Sequence, residues 1–471
     1  MAKGYLPYDI DQRLLLAPDL REWLPEGHLS LFLVDVVSEL DLSAIEKVHE
    51  SKDARGRAGY HPRMMVALLL YGYCVGKPSS RRIERGTYED VAFRVIAGDQ
   101  HPDHDSIADF RKRHLGALSG LFTQVLRLCQ KAGLVKLGHV AIDGSKFKAN
   151  ASKHKAMSYD RMNATEKKLE EEVRALLAEA ERVDAEEDAL YGKGKRGDEL
   201  PEELKRRESR LRKIRAAKAE LELEAKQKAE AKAAEVAEKL AERARKEAET
   251  GDKPGGREPT APDPEQAKPD PKAQRNFTDP DSRIMPDGAN KGAFVQGYNA
   301  QIAVDDANQV IVAALITQSS NDVRQLVPMA EEIKANVGEL ATTTSADAGY
   351  FSAQNVEHPA LANTNLLIPP ERQRHGASPT LEPLVDNATP AQRMRHKLSQ
   401  PDGRAAYKMR KAIVEPVFGQ IKEARGIRRL LLRGVEAARG EFNFIALTHN
   451  LLKLFRYGAR PALLPAGLPA G

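Results

Sequence analysis

Three acidic residues occupy positions where their surroundings would give them chemistry. Asp143 follows the apolar stretch of "GHVAIDGSKFKAN", Asp347 closes "ATTTSADAGYF", and Glu415 sits in "YKMRKAIVEPVFGQIKEARG". The β-formers of His139–Asp143 read as a strand with Asp143 at its carboxyl end, and Asp347 reads the same way on a second strand. Glu415 falls inside a helix whose Val414, Val417, Phe418 and Ile421 form an apolar face. An acid beside such a face needs compensation. Taken singly, each residue has an ordinary explanation: a strand-end Asp forms a turn or caps a helix, and a helical Glu is solvated. Taken together they suit a divalent cation. Two carboxylates about 4 Å apart repel by roughly 4 kcal/mol at an effective dielectric of about 20, and a cation relieves this. Mg²⁺ prefers oxygen ligands and accepts phosphate oxygens, and two such ions suit in-line displacement at phosphorus, the chemistry of DNA strand cleavage and transfer.

The third acid lies in a basic stretch. Arg410, Lys411, Lys422, Arg425, Arg428, Arg429 and Arg433 crowd it with few acids between them, and Lys422 lies seven residues after Glu415, two turns along one helical face. The ordinary reading is a solvated helix with cations at its carboxyl end. An arginine and lysine stripe beside an acidic metal site instead fits phosphodiester positioning, and DNA contact is the reading favoured here.

These residues require a particular set of elements. The order from His139 is strand, long insertion, two strands around Asp305–Asn308, a helix capped at Asn321 or Asp322 and closed by Gly338, and the Asp347 strand. A short helix, the strand "NTNLLIPP", the Glu415 helix ending at Gly426 and a last helix over roughly Glu436–Tyr457 follow. Three strands followed by alternating helix and strand predict an α/β ribonuclease-H-like fold. Its first three strands form an antiparallel meander and the later ones run parallel to the first. The Asp143 and Asp347 strands are then neighbours, and both acids lie in the crevice at the strands' carboxyl ends.

Residues 1–135 read as an all-helical N-terminal domain. Pro62 opens the helix of "HPRMMVALLLYGYCVGKPSS", Ser79 or Ser80 caps the next, and Asp105 or Ser106 caps a third with a regular apolar stripe. Exposed Arg and Lys on short helices suggest a helix-turn-helix-like DNA-binding module, with a plain bundle as the alternative. The catalytic domain takes 136–160 and 276–458. Between its two parts, 161–250 is a charged helical insertion of Ala, Glu, Lys, Arg and Leu, coiled-coil-like and suited to an antiparallel hairpin with a break at Asp198–Pro201. Residues 251–275 read as a flexible linker and 459–471 as a disordered tail. No chemistry is assigned to the insertion, which reads as a spacer or dimerisation arm.

The composition agrees. The chain has 471 residues, 41% hydrophobic and 30% charged, with a net charge of +5, so it can bury a large core and favours polyanions only slightly. No apolar run approaches the roughly 20 residues that span a bilayer, which points to no membrane association and a cytoplasmic, nucleoid-associated location. Cys74 and Cys129 match no zinc spacing and read as reduced core thiols.

The chain resembles the DDE transposases of bacterial insertion sequences, in the branch whose third acid lies in a Tyr-Arg-Glu-Lys signature. Tyr407 and Arg410 match the first spacing of that signature, and Glu415 and Lys422 match the last. Four residues rather than three separate Arg410 from Glu415, so either Arg410 is displaced by one or Lys411 takes its place. "AIDGSKFKANAS", "ADAGYFS", "YDIDQRLLLAPDLREWLPEGHL", "HPRMMVALLLYGYCVGKPSSRRIE" and "HPDHDSIADFRKRH" extend the resemblance over most of the chain outside the insertion and tail. It implies Asp143, Asp347 and Glu415 as catalytic residues and as ligands of Mg²⁺, with Mn²⁺ able to substitute, in two ions. It implies Tyr407 and Arg410 or Lys411 as residues that hold DNA, and the basic stretch adds Lys422, Arg425, Arg428 and Arg429 as DNA-binding residues. The implied partners are the terminal inverted repeats and target duplex, with action as a homodimer or larger synaptic complex. The alternatives are a ribonuclease-H-like nuclease that cuts without joining, an inactive DNA-binding derivative, and a histidine metal site at His101 and His104. The bland reading of those histidines is a capping turn.

Overall fold

A computed structural model describes residues 19–50, 59–191, 202–250, 255–287, 292–371 and 387–458. The described residues begin with seven α-helices: α1 (Leu29–Glu39), α2 (Ser43–Glu50), α3 (Pro62–Cys74), α4 (Ser80–Glu89), α5 (Val91–Ile96), α6 (His104–Arg113) and α7 (Leu115–Lys131). Pro62 stands in the first turn of α3, and the ring of His61 before it accepts from the Arg63 amide. From Met65 to Cys74 every residue of α3 is buried, as expected of a helix apolar all round.

The strands follow: β1 (His139–Lys148) and the short β2 (Ala156–Ser158) lead into two long helices, α8 (Tyr159–Tyr191) and α9 (Glu202–Thr250). The chain returns through β3 (Gln274–Asn276), β4 (Arg283–Pro286), β5 (Phe294–Asp305) and β6 (Ile311–Thr317). It closes with α10 (Leu326–Val337), β7 (Thr343–Ala346), α11 (Ala353–Val356), β8 (Asn365–Leu367), α12 (Pro390–Ser399), α13 (Pro401–Gly419) and α14 (Val435–Arg456).

The main sheet is mixed. β5 lies antiparallel to β1 and β6, while β7 is parallel to β1 and β8 is parallel to β7. The order β6-β5-β1-β7-β8 is the one expected above, with β4 added beside β6 on the outer edge of β5. Residues of β1 alternate between two covered faces. Asp143 and Phe147 turn toward α13 and α14, where they meet Arg410 and Phe442, and Gly144 turns toward Asp322, just before α10.

The N-terminal helices are not a separate module. Residues of α1, α3 and α7 share one apolar core with the sheet and α14. α14 is wedged between α7 and β6, with its side chains buried along most of its length. A buried polar junction ties the two regions together. Tyr73 donates to Glu441 at 2.9 Å, Arg111 donates to Tyr73 at 3.2 Å, and Glu441 accepts the Leu431 and Leu432 amides. The N-terminal helices thus form a layer packed against α14, which in turn covers the sheet.

The insertion is a helical hairpin with its own small core. Met162 and Leu169 of α8 meet Leu211, Ile214, Ala217 and Leu221 of α9, over Met157 at the base. The i, i+3, i+7 spacing on α9 supplies the seam. Arg215 and Lys218 reach across to Glu166 at 3.1 and 2.9 Å. The break expected at Asp198–Pro201 lies outside the described residues, as does the tail at 459–471. The stretch expected to be a flexible linker is instead, from 255 onward, laid back along α9, with Glu265 paired to Lys226 at 2.5 Å. Among the described residues no helix is long and apolar enough to cross a membrane.

Candidate active site

The two aspartates are brought together by strand register. Ile142 of β1 stands beside Ala346 of the parallel β7, so the next residues, Asp143 and Asp347, leave adjacent strand positions side by side. Val140, Ala141 and Ile142 are fully buried and fix β1 in the sheet, while β7 stops at Ala346 and β1 continues to Lys148. Beyond the end of β7 the chain turns. Asp347 there caps the turn Ala348–Tyr350 by accepting from the Gly349 amide at 2.9 Å.

Asp143 is held from two sides. Its Oδ1 accepts from the Gly144 amide at 2.8 Å, and its Oδ2 accepts from Arg410 Nη1 at 3.2 Å. Burial pushes its carboxyl up to about 6; the Arg410 charge pulls the other way and the charge of Asp347 adds to the rise. Arg410 is only 6% exposed and lies over the Tyr407 ring. Burial works against its charge, but Asp143 and Tyr407 outweigh it and raise its pKa.

A polar network lies beneath the acids. Gln301 and Asn299 of β5 both donate to Asp322 Oδ1, at 2.7 and 2.6 Å, and buried Tyr350 donates to Gln301 Oε1. Lys146 Nζ donates to the Ser320 carbonyl at 3.0 Å and stands 4.0 Å from Asp322. Burial lowers the Lys146 pKa, opposed by the charges of Asp322, Asp143 and Asp347. Gly144 is required here, because a Cβ on it would lie 2.4 Å from Gln301 Nε2 and 2.9 Å from Asp322 Oδ1. From the sequence Asp322 reads only as a helix cap. In the structure Asn321 takes the capping role toward Val323 and Asp322 turns inward.

The other expected residues divide. Lys422 reaches back to β1, donating to Ser145 Oγ at 2.5 Å and to the Lys146 carbonyl at 2.8 Å, with its ammonium 4.6 Å from the Phe147 ring centre. Burial brings its pKa down to about 8. It is placed by a π-helical turn, Gln420–Ala424, that extends α13 and that periodicity alone does not reveal. Tyr407 is half-buried, and burial raises its pKa. Lys411, Arg428 and Arg429 are exposed, with Arg428 paired to Glu423. Arg425, expected among the DNA-facing cations, is 7% exposed and donates inward to Thr448 Oγ1 at 2.8 Å and to the Ile445 carbonyl. It braces α14 and presents no charge to solvent.

Glu415 is exposed on α13, and among the described residues no group of three His, Cys, Asp or Glu side chains is placed to hold a metal ion. Asp143 and Asp347 are thus a pair in this arrangement. Their donor set fits a hard divalent cation: two oxygen-only ligands on adjacent strands just past their last parallel pair, one of them driven toward protonation by burial and by its neighbour. His101 and His104 do not form a rival site. His104 is bonded to Glu84 at 2.8 Å, and His101 meets Thr87 and stacks on Tyr88.

Two family models match the chain. Residues 265–451 match a Transposase DDE domain, and residues 18–113 match a Transposase domain (DUF772). The first match contains Asp347 and Glu415 but starts after Asp143, which the helical hairpin separates from it in sequence. The second covers α1 to α6. No curated protein and no solved structure matches the chain.

Proposed function

We propose that this chain, which carries transposase domains on both sides of its helical hairpin, is an insertion-sequence transposase that cleaves DNA strands and joins them to a target. The carrying observation is the register that sets Asp143 and Asp347 side by side where the parallel pairing of β1 and β7 ends. Asp143, Asp347 and Glu415 are the proposed ligands of Mg²⁺ or Mn²⁺, which when bound supplies Lewis-acid stabilisation of the phosphoryl oxygens and a more acidic water. Exposure leaves the Glu415 carboxylate available. Its helix is fixed to β1 on either side of it, through Arg410 on Asp143 and Lys422 on Ser145.

The chain's own residues have distinct tasks in this reading. Arg410 holds the Asp143 carboxylate in place, and exposed Lys411 next to it faces DNA, which divides the basic role of the signature between two residues. Lys422, held near neutrality by burial, stands where it can hydrogen-bond a phosphate oxygen or release a proton near pH 8. Arg428 and Arg429 contact the backbone, and Tyr407 packs behind Arg410. Arg425 is left out because it is buried. The DNA duplex and a second copy of the chain in a synaptic complex are the proposed partners.

The test is a plasmid carrying a marked element between its own ends, supplied with the chain in cells. Excision with joined product at new sites supports the reading, provided Asp347→Asn abolishes both. Breaks at the ends without joined product would make the protein a nuclease.

A further inference from the structure

At the base of the helical hairpin lies a cleft of about 840 Å³. One wall is α9, with Lys205, Arg210 and Lys213; the other carries Lys155 and Arg161. All five are exposed, and no acidic side chain lines the cleft. Two hydroxyls, Ser209 and Thr278, complete its polar rim, over an apolar floor that includes Met157, Ile214 and Phe277.

The hairpin sorts its charges by face. Along α9 from Lys205 to Arg215, seven of eleven residues are basic and one, Glu208, is acidic. Arg207 and Arg215 are spent on α8, paired with Glu172 and with Glu166 and Glu170. Among the described residues Lys155, Arg161, Lys205, Arg210 and Lys213 have no such carboxylate. A helix needing only solubility would intersperse acids on this face, as the distal part of α9 does with Glu235–Lys239 and Glu242–Lys246.

The cleft is also joined to the acids by a line of cations. β1 continues past Asp143 toward the hairpin, and the segment after α13 runs beside it. Lys422 sits on Ser145, Arg429 pairs backbone with Lys148, and Arg433 donates to the Asn150 carbonyl at 3.0 Å. Lys155 is the next cation wall along the same chain. The 12 residues from Asp143 to Lys155 span at most about 40 Å, roughly 12 base pairs of duplex.

We infer that this cleft is a second DNA-binding site, which grips the sugar-phosphate backbone of the duplex within about one helical turn of the phosphate cleaved at the acids. The inference rests on the DNA-cleaving reading but assigns the hairpin a task that the acids do not need. Contacts of lysine and arginine with phosphates are independent of sequence and release counterions, so their signature is salt dependence.

The experiment measures binding of the full-length chain to a generic 40-base-pair duplex across a salt series. The wild type is compared with the triple variant Lys155→Gln, Arg210→Gln, Lys213→Gln and with a control, Lys228→Gln, Lys232→Gln, on the exposed distal part of α9. Each lost phosphate contact lowers the slope of log affinity against log salt by about 0.9, so the triple variant loses about 2.7. Between 50 and 200 mM salt its affinity then falls about 40-fold less than that of the wild type. The control keeps the wild-type slope, and matching melting curves show that the hairpin is intact. A triple variant with the wild-type slope, or a control that loses as much, overturns the inference while leaving the DNA-cleaving reading in place. A wild type that binds no duplex at any salt overturns both.

Discussion

Gly144 offers the sharpest test of how the acids are supported. Replacing it with alanine adds one methyl group, which in an ordinary strand would gain roughly 0.5–1 kcal/mol by restricting the unfolded chain. Here the new Cβ would fall 2.4 Å from Gln301 Nε2, 2.9 Å from Asp322 Oδ1 and 3.1 Å from Asn299 Oδ1. None of these is the loose end of a solvated side chain, since Gln301 and Asn299 are fully buried and bonded to Asp322. Overpacking of this kind costs about 1–3 kcal/mol, so the expected sign is reversed. The strain is applied one residue from Asp143, and a displacement of about 1 Å at a reacting group costs on the order of 10²-fold in rate. Urea unfolding measures the first effect and strand cleavage the second. Gly116→Ala in α7, where nothing lies within 4 Å of the added Cβ, serves as the control and gains up to about 1 kcal/mol. A Gly144→Ala protein as stable and as active as the wild type would refute the close packing of the network under Asp143.

Four further outcomes are expected. Asp143 carries a carboxyl raised to about 6 chiefly by burial, so a proton competes with any bound cation below that pH. Mn²⁺ affinity followed by titration should weaken by about tenfold per unit below pH 6 and be level above it; equal affinity at pH 5 and 7 would contradict this. The same shift sets a stability trend without metal. A folded pKa above the unfolded one makes ionised Asp143 a cost that is full above about pH 6 and vanishes toward 3.8, so Asp143→Asn in EDTA gains on the wild type as pH rises from 4 to 7. Arg425→Ala should destabilise the protein by about 2–4 kcal/mol in urea, while Arg429→Ala leaves stability unchanged and lowers the salt slope of duplex binding by about 0.9; the reverse pattern would mean that Arg425 faces DNA. Cys74 and Cys129 are buried with thiols pushed up to about 12, so neither reacts with a thiol reagent until the protein unfolds.

Strand order and the pairing of the aspartates were legible in the sequence because both follow from local signals. The β-former runs around Asp143 and Asp347, and the turn at Asp305–Asn308, fix which strands are neighbours, and register does the rest. The hairpin was legible for the same reason, as a long charged helical run with a thin apolar seam. What was not legible depends on tertiary packing. Arg425 looks like any other cation of its stretch, and only its approach to Thr448 and Ile445 shows it to be internal. Asp322 looks like a cap, and only the return of β5 beside β1 brings Asn299 and Gln301 to it. The N-terminal helices read as a free module because their short helices and exposed basic residues are local features. The wedge of α14 that joins them to the sheet comes from more than 300 residues later in the chain. The π-helical turn that aims Lys422 has no periodic signature at all.

The most direct test of the account is strand cleavage of an end-labelled duplex carrying the element's own terminal sequence, run with Mg²⁺, with EDTA, and with Asp143→Asn and Asp347→Asn. The account predicts cleavage that requires Mg²⁺ and falls by at least about 10³-fold in either variant while duplex binding is kept, since each substitution removes one of the two adjacent carboxylates proposed to hold the metal. Undiminished cleavage by either variant would contradict it and place the reacting centre elsewhere in the chain.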